Sequence, residues 1–171
     1  GSGFIANLRQ HAPDWQPQAA PGVVFGAGGA ARAVVAALIE VGVPEIYITN
    51  RTRARAEAIR ADFGAKIRVV EWVQAGAVLE DAGLVVNTTA LGMVGKPPLN
   101  IPLDSLNPGA LVNDLVYTPL RTEFLDNAAA MGCATVDGLG MLLHQAAPGF
   151  ERWFGHRPDV DEATRQAVLG A

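Results

Sequence analysis

The chain has 171 residues, enough for one domain of ordinary size, and with 50% hydrophobic and 18% charged residues it has ample material for a core. A net charge of −4 and a pI near 5.3 argue against nucleic acid or an anionic membrane as the main partner. No apolar run approaches the roughly 20 residues that span a bilayer, no charged-then-apolar leader opens the sequence, and the single cysteine, Cys133, excludes an internal disulfide and suits a reducing cytoplasm, where a buried structural thiol is expected.

Phe4, Ile5 and Leu8 recur at helical spacing and predict a helix within Gly1–Gln10, followed by a Pro-, Gln- and Ala-rich loop over His11–Gly22. Val23–Phe25 reads as the first strand. Ala30–Val41 reads as a helix with Val34, Val35, Leu38 and Ile39 on one stripe and Gly42 at its stop. Ile46–Thr49, Ile67–Val70, Leu84–Asn87, Leu111–Asp114 and Thr135–Val136 read as five further strands. Between and after them come helices over Arg53–Phe63, Val73–Leu79, Thr122–Met131, Leu139–Phe154 and Asp161–Leu169, while Gly92–Leu106, with Pro97, Pro98 and Pro102, is loop-like. Short, nearly all-apolar strands alternating with helices predict α/β architecture. The expected fold is a Rossmann-type, doubly wound parallel sheet of about six strands with C-terminal helices.

The stretch Val23–Arg32, VVFGAGGAAR, carries the chemistry. Gly26, Gly28 and Ala31 fit G-x-G-x-x-[GA], after a strand-like run and before an amphipathic one. Gly26 permits the tight turn, Gly28 leaves room for a pyrophosphate against the backbone, and Ala31 lets the helix lie close on the sheet. The helix then aims its free N–H groups and positive dipole end at the phosphates. Gly26, Ala27, Gly28, Gly29, Ala30 and Ala31 are therefore the first candidate cofactor-binding residues. The alternative is a plain strand–helix turn.

An acid about 20 residues past this fingerprint would select NAD by hydrogen-bonding the ribose 2′-OH. Here the second strand ends in Thr49-Asn50-Arg51-Thr52-Arg53-Ala54-Arg55, with no acid. Arginines pair bidentately with a 2′-phosphate, so NADP is the predicted cofactor, held by Arg51 and Arg55 with Asn50 and Thr52 adding hydrogen bonds. Arg53 reads as a solvated helix face. Asn87, Thr88 and Thr89 end the fourth strand, which puts their polar groups at the carboxyl edge of the sheet and in the cofactor crevice. Asp114 reads as a structural turn residue and His144 as structural. His11, His144 and His156 are too scattered for metal ligation, so no metal is expected.

GAGGAARA at Gly26–Ala33, NRT at Asn50–Thr52, NTTALGM at Asn87–Met93, DLVYTP at Asp114–Pro119 and DGLGMLLHQAAPGFERWFG at Asp137–Gly155 resemble the shikimate dehydrogenase family, in the family's order. The resemblance corresponds to the family's C-terminal, NADP-binding part. It implies cofactor contacts at Thr88, Thr89, Met93, Val116, Gly138 and Met141, with Gly138 and Gly140 letting backbone approach the nicotinamide, and substrate contacts at Tyr117 and Gln145. It implies a division into residues 1–20, a connecting helix and loop from a missing N-terminal domain, 21–137, the NADP-binding domain, and 138–171, C-terminal helices lining the cleft and interdomain junction. The family's Ser-x-Ser clamp, catalytic Lys and Asp have no match here. Gly1-Ser2-Gly3-Phe4 resembles the family's chain just after that Asp, and the only lysines are Lys66, beside a strand, and Lys96, in the proline-rich loop. The implied function is cofactor binding for NADP-dependent reduction of 3-dehydroshikimate to shikimate. The chain is expected to be inactive alone, with no assigned catalytic residue and with self-association possible through apolar ends. The rivals are an NAD-preferring quinate/shikimate dehydrogenase and a non-catalytic NADP-sensing or docking module.

Overall fold

Six runs rich in Val, Ile and Leu form six parallel strands in a computed structural model that describes residues 1–170. They are β1 (Gly22–Phe25), β2 (Ile46–Thr49), β3 (Ile67–Val69), β4 (Leu84–Asn87), β5 (Leu111–Asp114) and β6 (Ala134–Val136). The helices are α1 (Ser2–His11), α2 (Gly29–Glu40), α3 (Arg53–Phe63), α4 (Glu123–Ala130), α5 (Leu139–Phe154) and α6 (Glu162–Leu169), with a 3-10 helix over Trp72–Val78. That last element answers to the short helix expected over Val73–Leu79 and takes the 3-10 form. A seven-residue connector that buries only Ala75 has little packing to sustain one.

The strand order is β3-β2-β1-β4-β5-β6. The chain winds outward from β1 to β3, then returns to lay β4 beside β1, with Gly22 paired to Leu84 and Phe25 to Asn87. This reversal opens a crevice at the carboxyl ends of β1 and β4. Strands β1, β2, β4 and β5 feed two cores because their side chains alternate. Val24, Ile46, Ile48 and Val86 pack under α1, α2 and α3, whereas Val23, Phe25, Val85 and Val112 pack with α4 and the 3-10 helix. Phe25 meets Trp72 and Phe124 edge-on, with ring centroids 5.9 and 6.3 Å apart.

The apolar residues of the two chain ends behave differently. Phe4, Ile5 and Leu8 of α1 are buried in the domain's own core. Leu142, Phe150, Trp153 and Phe154 of α5 and Val168 and Leu169 of α6 remain exposed, Trp153 by 83%. Cys133 is buried, its thiol donating to the Asn107 carbonyl at 3.3 Å, and burial pushes its pKa up. Among the described residues no helix is long and apolar enough to cross a membrane.

Candidate functional site

The two outer fingerprint positions are dictated by the protein's own packing, and the middle one is not. Gly26 has φ +107°, and a Cβ there would lie 2.4 Å from Thr88 Oγ1. Ala31, in the first turn of α2, is fully buried. Gly28, by contrast, has ordinary extended backbone, φ −88° and ψ −164°, and a Cβ built on it meets nothing within 4 Å. Neither strain nor packing asks for glycine at 28, so the space above it is open. Gly28 is also the N-cap of α2. No side chain caps that end and no acid stands in its first turn, so the first N–H groups of Gly29, Ala30 and Ala31 are left without a side-chain partner, as an anion-accepting helix end would be.

On the β2 side of this loop, Arg53 is engaged: it pairs with Glu57 at 3.1 Å and with Glu71. Arg51 and Arg55 are exposed, and their side chains make no hydrogen bond or ion pair among the described residues. Asn50 Nδ2 donates to the Thr52 carbonyl at 3.0 Å, which shapes the turn. Thr52 occupies the N-cap position of α3 without a side-chain capping bond, so its hydroxyl is free. Among the described residues, two guanidiniums without a partner thus follow the carboxyl end of β2, the strand beside β1.

On the β4–β5 side the picture departs from expectation. Asn87 is fully buried and does not face the crevice. Its Nδ2 donates to Leu91 O at 3.1 Å and to Asp114 Oδ1 at 3.0 Å, and its Oδ1 accepts from Thr89 N and Thr89 Oγ1. Thr88 Oγ1 donates to Phe25 O at 2.6 Å. The threonine hydroxyls therefore build the wall and are not aimed outward. A fully buried strand end in a parallel sheet must satisfy its polar groups internally. Asp114 is the centre of the same network. Its Oδ1 accepts from Val116 N at 3.0 Å and its Oδ2 from Thr122 Oγ1 at 2.7 Å. Burial pushes its pKa up against the pull of these hydrogen bonds, and the role is structural. The network fixes the chain after β5. Thr88, Thr89, Met93, Val116 and Tyr117 come together there along one cleft, with Tyr117 and Met93 exposed at its mouth.

The opening of α5 lies against the end of β5. A Cβ on Gly138 would stand 2.3 Å from the Leu115 carbonyl oxygen, and one on Gly140 would stand 2.0 Å from Asn7 Oδ1. Close helix packing therefore demands glycine at both, where the sequence suggests room for a nicotinamide. Met141 packs on the core beside α1, and Gln145 is exposed with its Cγ against Gly3, so neither lines the Thr88–Tyr117 cleft. His144 Nε2 bonds Gln10 Oε1 at 2.8 Å, and its pKa is lowered by burial first and then by His11 and Arg157. The described residues hold no group of three His, Cys, Asp or Glu that could bind a metal. Sequence reasoning misses the ion pair of Arg165 with Asp137, because nothing local distinguishes Arg165 from a solvated helix residue.

A family model described as Shikimate / quinate 5-dehydrogenase matches residues 10–93, and one described as Shikimate 5′-dehydrogenase C-terminal domain matches residues 138–169. Shikimate dehydrogenase (NADP(+)) of Cereibacter sphaeroides is 75% identical over 169 residues, covering 99% of this chain and 61% of that protein. The protein of the same name from Paracoccus denitrificans is 68% identical over 169 residues, covering 99% of this chain and 60% of that one. Quinate dehydrogenase from Corynebacterium glutamicum, solved with NAD, superposes with a TM-score of 0.87 at 32% identity, over 99% of this chain and 61% of that one. Shikimate 5-dehydrogenase from Thermus thermophilus, solved with NADP(H) and shikimate, gives 0.81 at 37% identity, over 97% of this chain and 61% of that one. The chain spans about three fifths of the length of the curated relatives it matches.

Proposed function

The chain belongs to the shikimate dehydrogenase family, and we propose that it holds NADP(H) for the reduction of 3-dehydroshikimate to shikimate in aromatic amino-acid biosynthesis. One observation carries the reading: open space above Gly28, at an uncapped helix N-terminus, beside the unpaired Arg51 and Arg55. The residues present suit the group. The α2 N–H groups and Gly28 backbone receive the pyrophosphate, and Arg51 and Arg55, with Asn50 and Thr52, receive the 2′-phosphate. The other half then runs toward the wall made by Thr88, Thr89, Met93 and Val116 and toward the opening of α5 at Gly138 and Met141.

When bound, NADP(H) supplies the hydride. The chain's part is to hold that half of the cofactor at the cleft, where Tyr117 stands at the mouth and can hydrogen-bond a polyol acid. Gln145, on α5 beyond Met141, is the second proposed substrate contact. Residues 21–137 form the nucleotide unit of this reading and 138–171 the helices beside the cleft.

The arginines separate NADP from NAD. Arg51→Ala is expected to narrow the preference for NADPH over NADH by roughly 1–3 kcal/mol, the range for hydrogen bonds to a charged group. Titrating both nucleotides into the chain and the variant checks this. A preference untouched by Arg51→Ala and by Arg55→Ala sinks the 2′-phosphate assignment, and an NAD-preferring quinate/shikimate dehydrogenase becomes the better reading.

A further inference from the structure

Helix α6 has one buried residue, and it is Arg165. Val168 and Leu169 of the same helix are exposed, so no apolar face ties it to the domain. An ion pair does. Arg165 Nη1 and Nη2 donate to Oδ1 and Oδ2 of Asp137 at 3.2 and 2.8 Å, with the two side chains only 9% and 17% exposed. A guanidinium gripping a carboxylate with two prongs fixes orientation as well as distance.

Asp137 is the joint between β6 and α5. Its Oδ1 also accepts from Leu139 N at 3.1 Å, and its carbonyl accepts from Asn7 Nδ2 of α1 at 3.0 Å. The next residue, Gly138, lies on the Leu115 carbonyl at the end of β5. The turn that opens α5 is thus held by α1, β5 and α6 together, and the α6 contribution comes through one side chain. The strand order says what this turn faces. A dinucleotide with its pyrophosphate at Gly28 and its 2′-phosphate at Arg51 and Arg55, on the β2 side, extends its other half across β4 toward β5 and β6.

We infer that Arg165 is a positioning residue: through Asp137 it sets the α5 opening, Gly138–Met141, against the nicotinamide half of bound NADP(H). The inference rests on the cofactor reading above. Two ligands separate the two claims: NADPH, and adenosine 2′,5′-bisphosphate, which carries the adenosine half alone. Both are titrated into the full chain, Arg165→Leu and Arg165→Lys. The unsubstituted chain is expected to bind both. Arg165→Leu is expected to bind NADPH about tenfold more weakly and the bisphosphate within about twofold, since the lost bond is charge-assisted and remote from the adenosine half. Arg165→Lys keeps the charge without the fork, falls between, and carries the comparison if the leucine variant does not fold. Equal losses on both ligands, or no loss on either, overturn the inference and leave the cofactor reading standing. An unsubstituted chain that does not bind the bisphosphate overturns that reading and the inference with it.

Discussion

Gly28→Val is expected to abolish nucleotide binding while the domain stays folded. The separation of the two effects comes from the geometry of the loop. A side chain at 28 meets no protein atom within 4 Å, and the backbone there is in a region open to any residue. Valine is a poorer N-cap than glycine, which costs the fold about 1 kcal/mol at most. The open space is where a pyrophosphate would touch the backbone, and an isopropyl group fills it. Two lost hydrogen bonds to a charged group, at about 1.5–3 kcal/mol each, amount to roughly a hundredfold or more in affinity. Gly26→Val is the contrast. Its φ of +107° and the Thr88 hydroxyl make glycine a folding requirement there, so that variant is expected to lose stability first. Thermal melts beside nucleotide titrations distinguish the two. Unchanged affinity in a folded Gly28→Val variant would mean that the glycine loop does not hold the pyrophosphate.

The 171-residue chain, supplied with shikimate and NADP, is expected to show no measurable turnover. Oxidising a hydroxyl needs a group to take its proton and others to fix the substrate. General acid–base help is worth about 10²–10⁴ in rate, and positioning about as much again or more. The candidates on this chain are poorly placed. Lys66 Nζ lies 3.4 Å from the Val43 carbonyl, at the amino-terminal edge of the sheet and far from the cleft. Lys96 is exposed in the loop after β4. Asp114 is buried within its own hydrogen-bond network, and His144 is bonded to Gln10. The Lys and Asp that the family resemblance implies have no counterpart in these residues. Measuring reduced nicotinamide by absorbance with purified chain tests this. A robust signal means that Tyr117 or Lys96 handles the proton, and Tyr117→Phe and Lys96→Met then say which.

Much of this arrangement is legible in the residues because its causes are local. The strands Ile46–Thr49, Leu84–Asn87 and Leu111–Asp114 and the helices Arg53–Phe63 and Leu139–Phe154 fall where apolar runs, helical spacing and stop residues put them. The glycine loop and the acid-free end of β2 are equally readable, since spacing alone defines them. The reason for Gly138 and Gly140 is not. Gly140 answers to Asn7, more than a hundred residues earlier, and Gly138 to a carbonyl just past β5. Asn87 shows the same limit. A polar residue at a strand end reads as facing the crevice, yet here Asp114, from the neighbouring strand, draws its amide inward. Arg165 is the least visible of all. Its helix is short and polar, and the carboxylate that buries it lies across the fold.

The most direct test of the central claim is calorimetric titration of the unsubstituted chain with NADPH and with NADH under one set of conditions. The glycine loop, the uncapped α2 and the unpaired Arg51 and Arg55 predict saturable one-to-one binding of NADPH, tighter than NADH by about tenfold or more, as a charge-assisted phosphate contact requires. Equal affinity for the two nucleotides, tighter binding of NADH, or no binding of either contradicts it.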